Sequence, residues 1–577
     1  MPTLDWIGKS KVVNHHQEVP FRILEKQYTC GGDCGENMII HGDNLEALKA
    51  LLPRYEGRVK CIYIDPPYNT GNEGWVYNDN VNDPKIRKWL GEVVGKEGED
   101  LSRHDKWLCM MYPRLKLLQK LLADDGAIFI SIDDNELYNL KSVCDEIFGA
   151  SCFVSTVSWQ RTYSTRNDSK GIVSEVEHIL VYSKKPGWNP NKLPRTEKMN
   201  STYKNPDNDI RPWASDNPFA PGAATHQGMV YAIQHPFTGK MIYPSSSACW
   251  RYQQDTMLEI MSGWTKYELR DLHDEKERAR ICGISVNDVR PGVQGIVLSD
   301  SLEIAQKNAQ TVFTRGQWPK FYFTKNGYGG IRRKTYLDSV GGQPPTNLWQ
   351  YADVGHTDEA AKTLKAIFEG SATFDTPKPP RLIERVLQIA GDKDTLILDS
   401  FAGSGTTAHA VLNMNKIDGG RRKFILIEMM DYAESITAER VKRVIDGYGE
   451  GKSAVEGTGG AFGYYELGPV LLQPDGNLNE AVGVEKIREY IWYTETKTAY
   501  MPGAGDNAYY LGRYGDTGYY FYYEPDQLTI LNHAFLSNIS EKADGYVVYA
   551  DRCALSDVEL SEYGVKFKKI PRDITKF

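Results

Sequence analysis

The sequence predicts an α/β protein with a doubly wound, mainly parallel sheet. Three short apolar runs, 59–64, 126–132 and 395–400, have the composition of strands that are buried on both faces. Segments with helical spacing separate these runs, and strands that alternate with helices indicate a parallel sheet. The length of 577 residues indicates about three or four domains in all.

The composition is that of a large soluble enzyme. The net charge of −8 does not by itself indicate a nucleic-acid-binding protein, although local basic faces can be hidden in the sum. The nine cysteines are scattered along the chain, which favours reduced thiols in a cytoplasmic protein. No second Cys or His pair at zinc spacing accompanies Cys30 and Cys34, so no metal site is predicted. No apolar run approaches the length of a membrane span, so we expect no membrane contact.

The first candidate site follows the run at 59–64. Asp65 stands where the strand ends, which is the edge at which open α/β sheets bind ligands. Pro66 and Pro67 cannot donate to the sheet, so the carbonyls beside them lack strand partners. Together with the ring of Tyr68, these acceptors suit a planar group that carries an amino group, and adenine fits that description. Taken alone, the four residues could also form a turn without chemistry.

The second candidate site lies between residues 396 and 407. Asp399 ends a strand, and Gly403 and Gly405 allow the backbone to approach a ligand closely. Glu428 ends the next strand, roughly 20 residues beyond the glycines, where an acidic residue usually holds a ribose diol. The sequence here has no third glycine and no phosphate-binding lysine, which argues against a pyrophosphate ligand.

At these two stretches the chain resembles the amino-methylating DNA methyltransferases that use S-adenosylmethionine. Their signatures are an Asp-Pro-Pro-Tyr catalytic loop and a Phe-x-Gly-x-Gly cofactor loop, and both are present. The order, with the catalytic loop first, is similar to the β class of that superfamily. Longer stretches resemble the modification (Mod) subunit of type III restriction-modification systems: 37–44, 68–80, 355–357, 374–379 and 570–575.

The resemblance implies a Rossmann-like fold that binds S-adenosylmethionine, and it assigns roles to individual residues. The implied catalytic residues are Asp65, Pro66, Pro67 and Tyr68. The implied cofactor-binding residues are Asp43, Asp65, Thr376, Lys378, Asp399, Phe401, Gly403, Gly405, Thr406, Thr407 and Glu428. For Asp43 the alternative is a helix cap, since helical spacing begins directly after it.

Changes in composition divide the chain. The alternation of strands and helices stops at about residue 187 and resumes near 351, which indicates an inserted domain. We predict an N-terminal lead at 1–36, the catalytic half of the methyltransferase domain at 37–186, a target-recognition insertion at 187–350, the cofactor-binding half at 351–451, and a C-terminal α+β interaction domain at 452–577.

One window of the insertion, 311–334, combines basic and aromatic residues and contains no acidic residue. This mixture suits a surface that lies along DNA. The predicted DNA-binding residues are Arg315, Lys320, Arg332, Arg333 and Lys334. An exposed hairpin with solvated charges is the alternative. Three tryptophans of the insertion could equally read bases or form its core: Trp213, Trp250 and Trp264.

The sequence therefore predicts an enzyme that flips an adenine out of a short duplex DNA sequence and methylates its N6 by direct in-line transfer. By resemblance it is the sequence-reading subunit of a type III restriction-modification system. The expected partners are double-stranded DNA, a second copy in a homodimer, and a helicase-nuclease restriction subunit. By resemblance, the tyrosine-rich tail contacts the restriction subunit, the second copy, or both. The alternatives are an orphan DNA methyltransferase and a cytosine-N4 or RNA methyltransferase.

Overall fold

A computed structural model describes residues 3–33, 35–70, 103–163, 172–370, 374–501, 507–572 and 574. The chain forms two compact units, one made of residues 1–191 and 344–577 and the other of residues 192–343. The resembling stretch at 68–80 lies outside the described residues from 71 onward. No helix in the described ranges combines the length and the apolar character needed to cross a membrane.

The larger unit contains a ten-stranded sheet. Its strands in chain order are β1 Arg22–Cys30, β2 Met38–His41, β3 Val59–Ile64, β4 Leu122–Ile132, β5 Phe153–Gln160, β6 Val176–Ser183, β7 Leu348–Trp349, β8 Leu396–Asp399, β9 Lys423–Glu428 and β10 Phe462–Val470. Across the sheet the order is β1-β10-β2-β9-β8-β3-β4-β6-β5-β7.

The six strands from β10 to β4 run parallel to one another. Ile62 and Ile64 of β3 pack into one core cluster with the helices Asn44–Tyr55 and Arg103–Leu121. Tyr63 points to the opposite face and is also buried. Burial of both faces explains why β3 is a nearly continuous apolar run, and it confirms the doubly wound class.

Two antiparallel additions flank the parallel strands. β6 pairs with β4 and with β5 on one side, and β1 pairs with β10 at the opposite edge. Both β1 and β10 fall outside the ranges that we predicted for the methyltransferase domain, because they come from the segments 1–36 and 452–577. Pairing between segments so distant in the chain leaves no signal in local composition, so the sequence did not reveal these two strands.

The helices of the larger unit lie at Lys9–Val12, His15–Glu18, Asn44–Tyr55, Arg103–Leu121, Leu137–Phe148, Tyr351–Val354, Thr357–Ile367, Pro380–Ala390, Thr406–Asp418, Glu439–Asp446, Val484–Thr496, His533–Ser537 and Asp557–Glu562. A two-stranded ribbon pairs Gly447–Tyr448 with Val455–Glu456. The last three helices accompany a four-stranded sheet, so the part after β10 is α+β as predicted. Its strands are Tyr510–Tyr514, Thr517–Phe521, Gly545–Ala550 and Val565–Lys569, and a smaller pair joins Ile530–Leu531 to Arg552–Cys553.

The smaller unit has short strands and an aromatic core. Its sheets are built from Trp213–Asp216, Phe219–Pro221, Ile233–Gln234, Met241–Ile242, Ala248–Trp250, Tyr267–Arg270, Gly295–Leu298, Phe321–Phe323 and Ile331–Tyr336. Its helices are Glu197–Asn200, Gln254–Ser262, Glu275–Cys282 and Leu302–Arg315. The core cluster includes Trp213, Trp250 and Trp264. Because these three side chains are almost fully buried, they hold the unit together and are not exposed to bases.

Candidate active site

Three acidic residues gather where adjacent parallel strands end. β8 pairs with β3 on one side and with β9 on the other. Asp399 and Glu428 are the last residues of β8 and β9, and Asp65 follows β3 directly. β3 comes from the first half of the chain and β8 from the second, so two strands that are distant in the sequence lie side by side at this point of the sheet. Such a switch in strand order opens a crevice outside the carboxyl ends of the strands, where ligands bind in α/β sheets.

The backbone of the Asp65 loop is held from two sides. The indole N–H of Trp107 donates to the carbonyl of Pro67 at 2.7 Å. Asn69 has a left-handed φ of 57°, and its side-chain amide donates to the carbonyl of Arg103 at 3.2 Å and to the buried carboxylate of Glu136. No described group donates to the carbonyl of Pro66, which therefore stays available to a ligand. Asparagine tolerates the left-handed region better than most residues, so the sequence suits this turn.

Asp65 lies in a buried cluster of charges. The ammonium of Lys378 is 2.8 Å from each carboxylate oxygen of Asp65 and 5.0 Å from the ring centroid of Tyr68. The hydroxyl of Tyr68 lies 2.9 Å from Asp65 and 3.1 Å from Glu177. Glu177 also accepts a hydrogen bond from Arg161 at 2.9 Å. Two carboxylates thus face two cations, and the net charge of the cluster is zero.

Burial and charge act in opposite directions on the ionisation of this cluster. Burial raises the pKa of Asp65, and the neighbouring Lys378 ammonium opposes that rise only in part. Burial also disfavours the charged form of Glu177, yet Lys378 and Arg161 hold its pKa below the usual range. Although burial opposes its charge, the two carboxylates raise the pKa of Lys378. Lys378 and Glu177 are therefore charged at neutral pH.

The turn after β8 has the conformation that its glycines permit. Gly403 and Gly405 have left-handed φ values of 52° and 80°. A Cβ on Gly405 would lie 3.0 Å from the carbonyl oxygen of Thr437, and one on Gly403 would lie 3.1 Å from the ring of Phe374. Any other residue at these positions would strain the backbone and crowd the turn.

Both acidic strand ends support this turn. Glu428 accepts the backbone N–H of Gly403 at 2.8 Å and that of Met430 at 3.0 Å. Asp399 accepts the N–H of Phe401 at 3.0 Å and the hydroxyl of Thr407 at 2.6 Å. Burial raises the pKa of Asp399 and of Glu428 to about 7, although these hydrogen bonds favour the charged forms.

One cavity joins the two predicted sites. Its lining includes, in chain order, Tyr63, Asp65, Phe374, Thr376, Pro377, Lys378, Asp399, Phe401, Ala402, Gly403, Ser404, Thr406 and Thr407. Thr376 has a left-handed φ of 49°, an uncommon conformation for a β-branched residue and one that clusters at functional sites. Thr406 donates its hydroxyl to the carbonyl of Lys378 at 3.2 Å, which ties the segment before the helix Pro380–Ala390 to the glycine turn.

Asp43 caps the helix Asn44–Tyr55. One of its oxygens accepts the N–H of Leu45 at 2.8 Å and of Glu46 at 3.2 Å. The other oxygen lies 3.5 Å from the guanidinium of Arg114, which is almost fully buried. The N-cap role that we considered from the sequence is therefore present, and Asp43 is not among the lining residues of the cavity. Contact with a cofactor stays a prediction for this residue.

The comparison with protein families agrees with this site. A family model described as DNA methylase matches residues 59–439, which include the Asp65 loop, the glycine turn and Glu428. The chain belongs to this DNA methylase family.

Several curated relatives are similar to this chain in sequence. The StyLTI Mod subunit, a type III restriction-modification enzyme subunit of Salmonella typhimurium, is 33% identical over 444 residues, which cover 73% of this chain and 57% of that protein. The EcoPI Mod subunit of Escherichia phage P1 is 29% identical over 74% of this chain and 63% of its own length. The type II methyltransferase M.KpnI of Klebsiella pneumoniae is 29% identical over 69% of this chain and 81% of its length. The chain thus spans about three fifths of the two Mod subunits that it matches.

The DNA methylase motifs do not include four residues that support the site. Glu177 reaches the cluster from β6, and Trp107 and Glu136 fix the Asp65 loop. The buried guanidinium of Arg440 donates to the side chains of Ser404 at 2.7 Å and Thr406 at 2.8 Å, so it braces the glycine turn from below. The available sign of such supporting residues was an acidic or basic residue within an otherwise apolar helix or strand. A single sequence does not show which of these side chains point toward the site.

The five basic residues predicted for DNA contact lie in the smaller unit, where their environments differ. Arg315 at the end of a helix and Arg332 are exposed, and Lys320 is half-buried, with its ammonium 5.1 Å from the ring centroid of Tyr252. Arg333 is half-buried and pairs with Asp216. Only the first three side chains present their charge without a carboxylate partner in the described part of the chain.

Lys334 differs from the prediction, because the structure places it in the interior. Its side chain is fully buried, and its ammonium pairs with Asp207 and with Asp209, the latter at 2.7 Å. Trp213 covers it at 5.1 Å and donates its indole N–H to Asp207. The segment before the strand Trp213–Asp216 brings these carboxylates inward, and burying them requires a cation. Lys334 is therefore a core residue in this structure and offers no charge to a phosphate.

Proposed function

We propose that this protein transfers a methyl group from S-adenosylmethionine to N6 of an adenine in a short duplex DNA sequence. The observation that carries the proposal is that Asp65, Asp399 and the glycine turn converge on one small cavity at the switch between β3 and β8. Membership of the DNA methylase family supports it, as do the relatives named as Mod subunits. Because the chain matches only part of those relatives, its substrate and partners are proposals.

The residues at the strand ends and in the glycine turn suit S-adenosylmethionine. Glu428, which accepts the N–H of Gly403 and lies outside the lining of the cavity, would accept the ribose hydroxyls, and Gly403 would present its backbone to the cofactor. Thr376 lines the same cavity near Asp65 and suits the amino-acid end of the cofactor, whereas Lys378 pairs with Asp65 in the cofactor-free protein. When bound, the cofactor supplies an electrophilic methyl group on a sulfonium.

Asp65 and the carbonyl of Pro66 would receive the amino group of a flipped adenine, and the ring of Tyr68 would stack on the base. Acceptance of the N6 hydrogens by these groups turns the nitrogen lone pair toward the methyl carbon. N6 would lose one proton as it accepts the methyl group, and Asp65, which accepts that hydrogen, would pass the proton to water. Unstacking costs a few kcal/mol, which protein contacts must offset.

Long-read sequencing of DNA from cells that express the protein tests the proposal. We expect N6-methyladenine within one short motif, and no modification from the Asp65→Ala variant expressed at the same level. N4-methylcytosine instead would assign the cytosine alternative. Unmodified DNA together with labelled RNA would assign the RNA alternative.

Cofactor affinity should depend on pH, because the two buried carboxyls have pKa values near 7. Below pH 7 they hold protons, and an ionised Glu428 accepts ribose hydroxyls better than a protonated one. A single group with this pKa predicts affinity about tenfold weaker at pH 6 than at pH 8. Calorimetry with the cofactor-free protein measures this. The Glu428→Gln variant should bind weakly at both pH values.

The control for this measurement is Asp394→Asn, an exposed carboxylate at the opposite end of β8, which should keep the wild-type pH profile. Stability should change in the opposite direction to affinity. The ordinary pKa values of these groups are 3.8 and 4.5, so these two carboxyls contribute less to the stability of the cofactor-free protein as pH rises from about 4 to about 7, because the folded state retains protons that the unfolded chain releases. Equal affinity at pH 6 and pH 8 would contradict the assignment of Glu428.

DNA binding by the smaller unit should depend on its exposed cations. We propose that Arg315, Lys320 and Arg332 bind phosphates, and neutralising all three should weaken binding to every duplex. The slope of log affinity against log salt should become flatter by nearly one unit for each phosphate that no longer has a cation beside it. A weakening confined to the methylated motif would place one of the three on a base edge. An unchanged slope would leave them as solvated charges.

We also propose that the protein works in the cytoplasm as a homodimer that binds a helicase-nuclease restriction subunit. The relatives named as Mod subunits of type III enzymes support this role. The aromatic composition of the tail suggested a contact surface. Four of its aromatic side chains are instead buried in hydrophobic cores that include the tail: Tyr519, Tyr520, Phe521 and Tyr523. Light scattering of the full chain should give twice the mass of a single chain, and a monomer would contradict the dimer.

A further inference from the structure

Glu177 is a buried carboxylate in the candidate active site that neither motif contains. It projects from β6, and only 7% of its surface is exposed. One oxygen accepts a hydrogen bond from Arg161 at 2.9 Å. The other lies 3.1 Å from the hydroxyl of Tyr68 and 3.5 Å from the ammonium of Lys378. A buried charge with this number of polar contacts is expensive to maintain unless each contact is satisfied, so its presence requires an explanation.

The ammonium of Lys378 occupies the position beside Asp65 that the target amino group would take. Its ammonium is 2.8 Å from both oxygens of Asp65 and stands over the ring of Tyr68. A base that stacks on Tyr68 and donates its amino hydrogens to Asp65 must occupy the same positions. Lysine and base cannot both be there, so entry of the base requires Lys378 to leave Asp65.

A buried ammonium that leaves its carboxylate needs another carboxylate close by, since an unpaired charge in the interior is strongly unfavourable. Among the described residues, Glu177 is the carboxylate other than Asp65 that lies within ion-pair distance of Lys378, with its oxygen 3.5 Å from the ammonium. Rotation of the flexible lysine side chain would close the remaining gap without moving the backbone. Arg161 stays on the other oxygen of Glu177, so the cluster keeps its balance of two cations and two anions.

We propose that Glu177 receives Lys378 when the target amino group binds Asp65, which makes Glu177 a positioning residue of the active site. The inference rests on the proposed function, because it takes an exocyclic amino group of a nucleobase as the displacing ligand. It explains why an acid on β6 faces a lysine from the segment before the helix Pro380–Ala390. It also predicts that the need for Glu177 depends on the presence of Lys378.

The test compares single and double variants of the full-length protein on duplex DNA that carries the sequenced motif. Glu177→Gln should lower kcat by about 50-fold, with the KM for S-adenosylmethionine changed less than about twofold. Glu177→Asp, which keeps the charge, should have a kcat at least about tenfold higher than that of Glu177→Gln. In the Lys378→Met background, adding Glu177→Gln should lower kcat by less than about twofold, because no lysine remains to be received.

Glu175→Gln is the matched control, since it removes a carboxylate two residues away on the same chain segment and should keep wild-type kcat. A Glu177→Gln variant within about threefold of wild type would overturn the inference. The inference would also be overturned if the decreases in kcat of the two single variants multiplied in the double variant, because that would show that the two residues act independently. If Lys378 instead moves to the cofactor, Lys378→Met would weaken cofactor binding while Glu177→Gln would be neutral, which also overturns it.

The same experiment separates this inference from the proposed function. Methylation of cytosine in place of adenine by the wild-type protein would refute the proposed base, while the variants would still test Glu177 with a cytosine amino group as the displacing ligand. Absence of methyl transfer to any nucleic acid by the wild type would overturn both.

Discussion

Replacement of Asp65 by alanine should lower the rate of methyl transfer by at least about 1000-fold, which corresponds to roughly 4 kcal/mol of barrier. In the proposed mechanism the carboxylate accepts the target amino group, and its removal leaves the carbonyl of Pro66 for that group. It also leaves Lys378 with Glu177 as its ion-pair partner among the described residues, so the cluster loses one of its two anions. Single-turnover transfer from labelled cofactor to the sequenced DNA motif measures the effect.

Asp124→Ala is the matched control, because Asp124 lies near the start of β4, at the opposite end of the sheet, and pairs with Lys185 in an exposed ion pair. Exposed pairs contribute little, so this variant should retain wild-type activity and stability. A rate for Asp65→Ala within about tenfold of wild type, or roughly 1.4 kcal/mol of barrier, would refute the role of Asp65.

Replacement of Lys334 by methionine should destabilise the smaller unit by about 3–5 kcal/mol, because it leaves Asp207 and Asp209 without their cation in the interior. The destabilisation should appear in chemical unfolding followed by tryptophan fluorescence, since Trp213 contacts both Lys334 and Asp207. DNA binding below the unfolding transition should keep the wild-type salt dependence.

Arg332→Ala provides the contrast, because this side chain is exposed on the same strand, Ile331–Tyr336. It should leave the free energy of unfolding unchanged within about 0.5 kcal/mol and make the salt dependence of DNA binding flatter. If Lys334→Met instead unfolded like the wild type and made the salt dependence flatter, Lys334 would be a phosphate contact and its burial here would be wrong.

The sequence was most informative where chemistry and local structure coincide. Asp65, Asp399 and Glu428 each follow or end a short apolar run, so their positions at the strand ends could be predicted from composition alone. The glycine turn was predictable for the same reason, since only glycine combines a left-handed φ with a close approach to Phe374 or Thr437. Residues at these places owe their conformation to their immediate neighbours in the chain.

Residues whose environment depends on distant partners were not predictable. Glu177 becomes part of the site because β6 pairs with β4, and its polar neighbours in sequence gave no sign of burial. Lys334 had the same appearance as Arg332 in a basic window, yet its partners Asp207 and Asp209 come from more than a hundred residues earlier. A basic residue is exposed or buried according to whether such carboxylates reach it, and that is a property of the folded unit.

The assembly of the active site from distant strands also has a consequence for protein synthesis. Asp65 and Lys378 are 313 residues apart in the chain, and the smaller unit lies between them. At typical rates of translation the ribosome needs roughly 15 to 60 s to add such a length. During this interval the edge of β3 that later pairs with β8 has no strand partner, and its unpaired backbone N–H and C=O groups are open to pairing with other nascent chains. Production of active protein should therefore depend on chaperones that shield the first half of the sheet until the second half has been made.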